Sequence, residues 1–526
     1  MSSTFPSTPV MAAPTAPPSL PLATPPSLPL ATPWLPQSRA PRLTLGAALA
    51  LGVLAEVLLD RALWGVSFPL MVLALVAMLV GLGGREGWQR ARPNAWLLLP
   101  LLAVSGFVAV RDSPWLTVLN VLTAGTLLLL LAHFWGAGRV QRLGLWGYPR
   151  VVLGSAFRGM LHPPALVRDS VDLSAAKRHA PSLLPFVRGL LLALPVLAVF
   201  ALLLSSADVV FASAVQRVWD VDLGALLGTS VARAVGVGFS AAVAASVLGH
   251  ALRRRKGREA GEEEVASASP RLGLTEALTL ILAVDALFLA FAGFQVAYLF
   301  IGDASSPAPG YSYATYARRG FFELMVVSML TLGLVMALAR WTRRESPLAR
   351  AVFHAGASLM VALTLVIVAS AVKRMALYEE AFGYTRLRVF THVFMFALGG
   401  VLAWRGVTLW WRPERFAVGA FVAALGAVLA VNVINPDALI VRHNIARVAE
   451  VPHVDDDYLY SLSADAIPEL ARGFASGQLT DSVGLGHIDL GNACEGASWP
   501  EWNLSRWRAC RTLESATSSR VSAGGS

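Results

Sequence analysis

Eleven hydrophobic runs, each near or above the length a helix needs to cross a bilayer, constrain this chain more than any other feature. They cover roughly residues 43–59, 66–83, 95–110, 115–135, 183–205, 223–250, 274–301, 320–340, 351–372, 388–411 and 416–434. Crossing about 30 Å of hydrocarbon takes roughly 17 to 25 helical residues. Backbone groups in lipid have to be satisfied within their own segment, and barrel strands would alternate in polarity, so continuous apolar runs predict helices. Only 14% of the residues are charged and 56% are hydrophobic, far from the roughly one quarter charged of soluble domains. The expected fold class is all-α: a polytopic integral membrane bundle of about eleven transmembrane helices, with a small extracytoplasmic helical segment at the carboxy terminus. The first three runs are short or weak, so ten or twelve spans also fit.

The formal net charge is +10, but the basic residues sit in short loops rather than on one soluble domain, which argues against nucleic acid as a partner. Loops rich in arginine alternate with poor ones. Arg39 and Arg42, then Arg85, Arg90 and Arg92, then the segment from Arg139 to Arg178, then Arg253 to Arg258 are separated by stretches carrying Arg61, Arg111 or Arg217 alone. The positive-inside rule places the amino terminus and the basic loops in the cytoplasm. Eleven spans then put the carboxy-terminal segment outside, together with both cysteines, Cys494 and Cys510. A disulfide there closes a loop worth about 3 kcal/mol in the chain-entropy model. One miscounted span returns the pair to the cytosol as two thiols.

Five regions follow. Residues 1–38 repeat the octapeptide PPSLPLAT in tandem, a proline density that forbids a helix and predicts a disordered cytoplasmic tail. Residues 39–135 hold the first four spans, and 136–182 form a basic cytoplasmic or interfacial loop seeded with Leu145, Trp146, Tyr148 and Phe157. Residues 183–435 make the remaining spans. Residues 436–526 form a polar segment in which DDDYLYSLSADAIPELARGF, from Asp455, reads as two short helices, with Asp465 as the second cap.

Three segments on the expected outer side break the orientation rule. YSYATYARRGFFEL (Tyr311 to Leu324) places Tyr316, Arg319 and Glu323 on one helix face beside Arg318. KRMALYEEAFGYTRLR (Lys373 to Arg388) puts Arg374 and Tyr378 at i, i+4 and, past the turn at Gly383, adds Thr385, Arg386 and Arg388. NPDALIVRHNIAR (Asn435 to Arg447) is the third. Ionisable groups at a membrane boundary are expensive unless paired or wet. Two readings stand: an internal ion-pair network neutralised by Glu323, Glu379 and Glu380, or a clamp of planar guanidinium forks on an anionic lipid or solute. Asp285 and Arg233 are polar residues within spans, candidates for mutual pairing or a proton path. His133 and His392 sit near span ends, where hydrogen bonding is the ordinary role. The spacing predicts no metal site, no cofactor motif and no catalytic constellation.

YARRGFFEL (Tyr316 to Leu324), RMALYEEAFGYTRLR (Arg374 to Arg388) and NIARVAEVPHVDDDYLYSLSADAIPEL (Asn444 to Leu470) resemble the hallmarks of a bacterial family of polytopic membrane proteins known only as a domain of unknown function, of the 4173 or 4153 type. The resemblance covers roughly residues 180–475 and implies a helical inner-membrane protein with no established activity. The leading functional expectation is a non-enzymatic role, binding or moving an anionic envelope lipid or solute at the outer arginines. An envelope enzyme acting on a polyprenyl-linked substrate is the alternative, and a membrane sensor or scaffold is the third.

Overall fold

The structure is a computed structural model that describes residues 40–60, 64–170, 229–252, 272–295, 321–447, 456–479, 494 and 498–524. Among them nine stretches are long and apolar enough to cross a membrane. The helices are α1 (Pro41–Leu59), α2 (Ser67–Ala91), α3 (Leu98–Val108), α4 (Pro114–Phe134), α5 (Gly147–Gly159), α6 (His162–Ser170), α7 (Thr229–Leu252), α8 (Leu274–Gln295), α9 (Phe321–Trp341), α10 (Pro347–Phe382), α11 (Arg386–Trp410), α12 (Phe416–Ile434), α13 (Pro436–Ala446), α14 (Asp456–Tyr460), α15 (Ile467–Ala475) and α16 (Leu504–Gly524). Prolines open α1, α4, α10 and α13, where a missing N–H costs no hydrogen bond.

Residues 67–108 form one long apolar stretch that breaks at Gly84, where φ is 59° and ψ −168°, and passes through a 3-10 turn at Arg92–Leu97. The stretch doubles back there. The Val66 N–H donates to the Trp502 carbonyl and the Leu504 N–H to the Ala109 carbonyl, so both of its ends reach the same carboxy-terminal residues. The expected second and third spans are thus two crossings joined through the segment from Gly84 to Leu97. The expected span at 183–205 lies outside the described residues, as does the proline-rich tail.

Two helical groups share α12. In the first, α1–α4, α7 and the short α5 and α6 bury Leu51, Leu79, Leu101, Leu127, Phe134 and Leu248. Gly52 lets α1 approach α7 so closely that a Cβ there would meet the Val237 carbonyl at 2.6 Å, the small-residue contact typical of helices in lipid. In the second, α8–α11 bury Ile281, Val335, Phe353, Met360 and Leu402. Helix α12 adds Ala417 and Leu425 to the first core while packing against α11. Large apolar side chains such as Leu99, Leu282, Phe294, Leu330 and Phe396 stay exposed around the outside, a surface suited to acyl chains rather than water. The protein is a multi-pass helical membrane protein.

The carboxy-terminal helices α13–α16 close one end of the bundle. Ile440, Val441 and Ile445 of α13 pack with Val389, Leu459 and Leu470 in a separate small core. That end is called the capped face below, and the opposite end the far face.

Candidate functional site

The turn between α10 and α11 is where the sequence places most of its candidate residues, and the protein itself occupies them. Gly383 ends α10 at φ 78°, a left-handed position that glycine adopts freely. A Cβ there would also meet Asn444 Oδ1 and Arg447 Nη1, each at 2.7 Å. Asn444 holds the turn from both sides: its Oδ1 accepts from the Tyr384 N–H at 2.7 Å and its Nδ2 donates to the Tyr384 carbonyl at 3.0 Å. Arg447 donates to the Ala381 carbonyl. Two of the sequence segments singled out above are therefore halves of one clasp.

Arg386 makes a bidentate pair with Asp437, both bonds 2.7 Å. Asp437 is 1% exposed and also accepts from the Ser463 N–H and Oγ. Burial pushes its carboxyl up, but the hydrogen bonds from Arg386 and Ser463 outweigh that and hold it below the usual carboxylate range. Arg388 donates to the Phe382 and Gly383 carbonyls and lies over the Tyr378 ring at 4.2 Å. Thr385 caps α11 in extended conformation without a side-chain hydrogen bond. Arg374 is buried and donates to Gln295 Oε1, which also accepts from Ser370. Glu379 bonds His392 Nδ1 at 3.0 Å rather than an arginine. Glu323 is exposed in the first turn of α9, and Tyr316, Arg318 and Arg319 lie outside the described residues. The structure brings Tyr378, Thr385, Arg386 and Arg388 to one turn, but Arg386 and Arg388 bind within the chain.

Asp465 was expected to cap its own helix. Instead its Oδ2 accepts from the Asp112 and Ser113 N–H groups, and its Oδ1 takes the Ser505 hydroxyl and faces Arg111 at 3.5 Å. Asp112 in turn pairs with Arg506 at 2.6 Å. Burial raises the Asp112 carboxyl above its ordinary value, partly offset by Arg506. Asn503 donates to the carbonyls of Val108 and Arg111, and Cys494 is bonded to Cys510. These contacts tie α13–α16 to the loop between α3 and α4. No sequence signal marked Asp437, Asp112 or Arg506, because each partner is far away along the chain.

Within the membrane, Arg233 is exposed on α7 and Asp285 is buried on α8, and no ion pair joins them among the described residues. Their helices have different neighbours: α7 packs on α1, α4, α5 and α6, whereas α8 packs on α10. A second unexpected feature is a chain of histidines between α4, α6 and α7. His162 Nε2 lies 3.0 Å from His250 Nδ1, and His250 Nε2 lies 3.4 Å from His133 Nδ1. Among the described residues no cluster of His, Cys, Asp or Glu has the arrangement to hold a metal ion.

An apolar groove of about 1170 Å³ lies where α4, α9, α11 and α12 meet. Its walls are Met329, Leu332, Gly333 and Met336 of α9, Phe390 to Val401 of α11 and Ala420 to Val431 of α12. At roughly 1.5 Å per residue the α11 and α12 stretches are each about 17 Å long, half of the hydrocarbon thickness or a little more. Trp146, Trp341 and Arg340 stand at its far-face end. Tryptophan and arginine at such a depth are the side chains that anchor at a headgroup boundary.

A family model described as a domain of unknown function, DUF4153, matches residues 97–473. No curated protein and no solved structure matches the chain.

Proposed function

The chain belongs to the DUF4153 family, and on that premise we propose that it is a membrane protein that binds an anionic lipid, seating the chain in the groove between α4, α9, α11 and α12. The observation that carries this reading is the groove itself. It is too long and too apolar for a polar metabolite, and among the described residues its lining contains no carboxylate, histidine, cysteine or serine that would do chemistry on an occupant. One cation, Arg340, stands at one end with Trp146 and Trp341 beside it, matching a phosphate headgroup at the boundary and acyl or prenyl chains within. The capped-face arginines favoured by the sequence do not line this groove, and Arg386 and Arg388 bind Asp437 and backbone carbonyls. Placing the far face toward the cytoplasm of the inner membrane is supported by Arg85, Arg90, Arg92, Arg142 and Arg150, all near that end.

Gly333 provides the test, because a Cβ there meets nothing within 4 Å and Gly333→Trp fills the groove without disturbing the backbone. The full chain is purified in detergent, offered phosphatidylglycerol or phosphatidylcholine, and weighed by native mass spectrometry. Retention of phosphatidylglycerol should fall about tenfold or more in Gly333→Trp, a loss of roughly 1.4 kcal/mol. Arg340→Gln should erase the preference for the anionic headgroup. Equal retention by wild type and Gly333→Trp would sink the reading.

A further inference from the structure

Asp285 lies halfway along α8, is 4% exposed, and neither of its carboxylate oxygens has a hydrogen-bond partner among the described residues. Its depth can be read from the packing of α8 on α10. Ile281 meets Gly356, and Gln295 meets Ser370, each pair 75 positions apart, so the two helices run parallel and Asp285 is level with Met360. The nearby hydroxyls are turned away. Ser328, Thr331 and Thr364 each donate to the carbonyl four residues earlier in their own helix.

The ionisable residues on the surrounding elements sit toward the ends. They are Glu276 on α8, Glu323 and Arg340 on α9, Arg350, His354, Lys373, Arg374, Glu379 and Glu380 on α10, and Arg386, Arg388, His392 and Arg405 on α11. Arg405 leaves α11 nearest that level, since Gly406 faces Val361 across α10 and α11, but its side chain reaches the far-face start of α12. Its guanidinium lies over the Phe416 ring at 5.2 Å, and no ion pair links it to Asp285 among the described residues. An ionised Asp285 would therefore be an uncompensated charge inside the bilayer, costing several kcal/mol or more. A metal cation would need about six oxygens around it, and the adjacent hydroxyls are committed to their own backbones. The neutral acid is the state this environment supports.

We infer that Asp285 is a proton-binding site in the membrane interior: uptake forms one carboxyl O–H bond, release breaks it, and nothing else is exchanged. A polar approach runs from the capped face along the buried side of α10. There Glu379 meets His392, and Arg374 and Ser370 meet Gln295, ending ten residues, or about 15 Å of helix, from the level of Asp285. The exchange of that proton requires the α8–α10 interface to open, so the site couples proton occupancy to helix packing. Asp285 does not line the apolar groove, and this inference stands whether or not a lipid binds there.

The test uses the full chain reconstituted in lipid nanodiscs. Apolar dicyclohexylcarbodiimide adds to a protonated carboxyl, whose proton passes to a reagent nitrogen, and peptide mass spectrometry locates the adduct. Modification is expected at residue 285 in wild type and in Asp285→Glu, is absent in Asp285→Asn, and does not occur with a water-soluble carbodiimide. Asp285→Asn, an isostere of the neutral acid, should keep its Tm within about 2 °C of wild type, a change under about 1 kcal/mol. No adduct at residue 285 would overturn the proposal, because a site that exchanges protons has to become reachable. A marked fall in the Tm of Asp285→Asn would overturn it as well, by showing that the folded state needs the negative charge.

Discussion

The two ends of the bundle use the same residue type in opposite ways. At the capped face, arginines find buried carboxylates: Arg386 with Asp437, Arg111 with Asp465 and Arg506 with Asp112. At the far face, Arg405 is 6% exposed and rests on the Phe416 ring with no ion pair among the described residues. Arg344 lies over Phe353, and burial together with the neighbouring Arg350 lowers its pKa. The difference comes from chain supply. The carboxy-terminal segment folds back over one end and brings Asp437 and Asp465 with it, while the far face receives aromatic rings. Arginine near a membrane boundary is therefore ambiguous evidence for a ligand until its carboxylates have been located.

The largest expected effect tests that pairing directly. Asp437→Asn strands the Arg386 guanidinium and weakens the grip on Ser463, and removing one partner of a buried pair costs about 3–5 kcal/mol. Chemical unfolding in detergent should show that loss, accompanied by faster proteolysis of the carboxy-terminal segment. A variant as stable as wild type would mean the clasp contributes nothing to holding the cap.

Acid should separate the same contacts more gently. Asp437 has a folded-state pKa below its unfolded value, so its contribution is present above about pH 3.9 and is lost as the pH falls through the folded value. Asp112 is shifted the other way. Its contribution is complete below about pH 3.9 and is lost as the pH rises through its folded value. Stability followed against pH should lose its acid-side decline in Asp437→Asn and gain a flatter profile above about pH 4 in Asp112→Asn. Matching profiles for the two variants would contradict the opposite signs.

The smallest effect belongs to the far face. Arg405→Met keeps an unbranched stem and removes a buried charge that has no carboxylate partner among the described residues, exchanging one cation–π contact of about 1–2 kcal/mol for a lower desolvation cost. Unfolding should change by no more than about 1 kcal/mol in either direction. A loss as large as that of Asp437→Asn would erase the contrast between the two faces.

Much of the membrane architecture was legible along the chain. Boundaries at α4, α9 and α12 agree closely with the apolar runs, because each helix satisfies its own backbone and needs only a local stretch of suitable side chains. The charged segments were legible as unusual, but their partners were not. Arg386 and Asp437 are 51 residues apart, and Asp465 reaches the backbone of Asp112 across 353. Asp465 looked like a local cap since capping is the contact a short sequence window can show. The chain of His133, His250 and His162 was equally hidden, its members lying on three helices.

What the sequence determined by itself is the placement of most membrane helices, the separation of residues 66–83 and 95–110 into two spans, and the family. These are local properties, fixed by apolar length and by short ordered motifs. Only the tertiary structure decided that Arg386 and Arg388 bind Asp437 and backbone carbonyls, that an apolar groove opens between α9, α11 and α12, and that Asp285 has no hydrogen-bond partner among the described residues. Pairing, cavity and isolation are relations between helices, and residues far apart in the chain become neighbours only when the bundle packs.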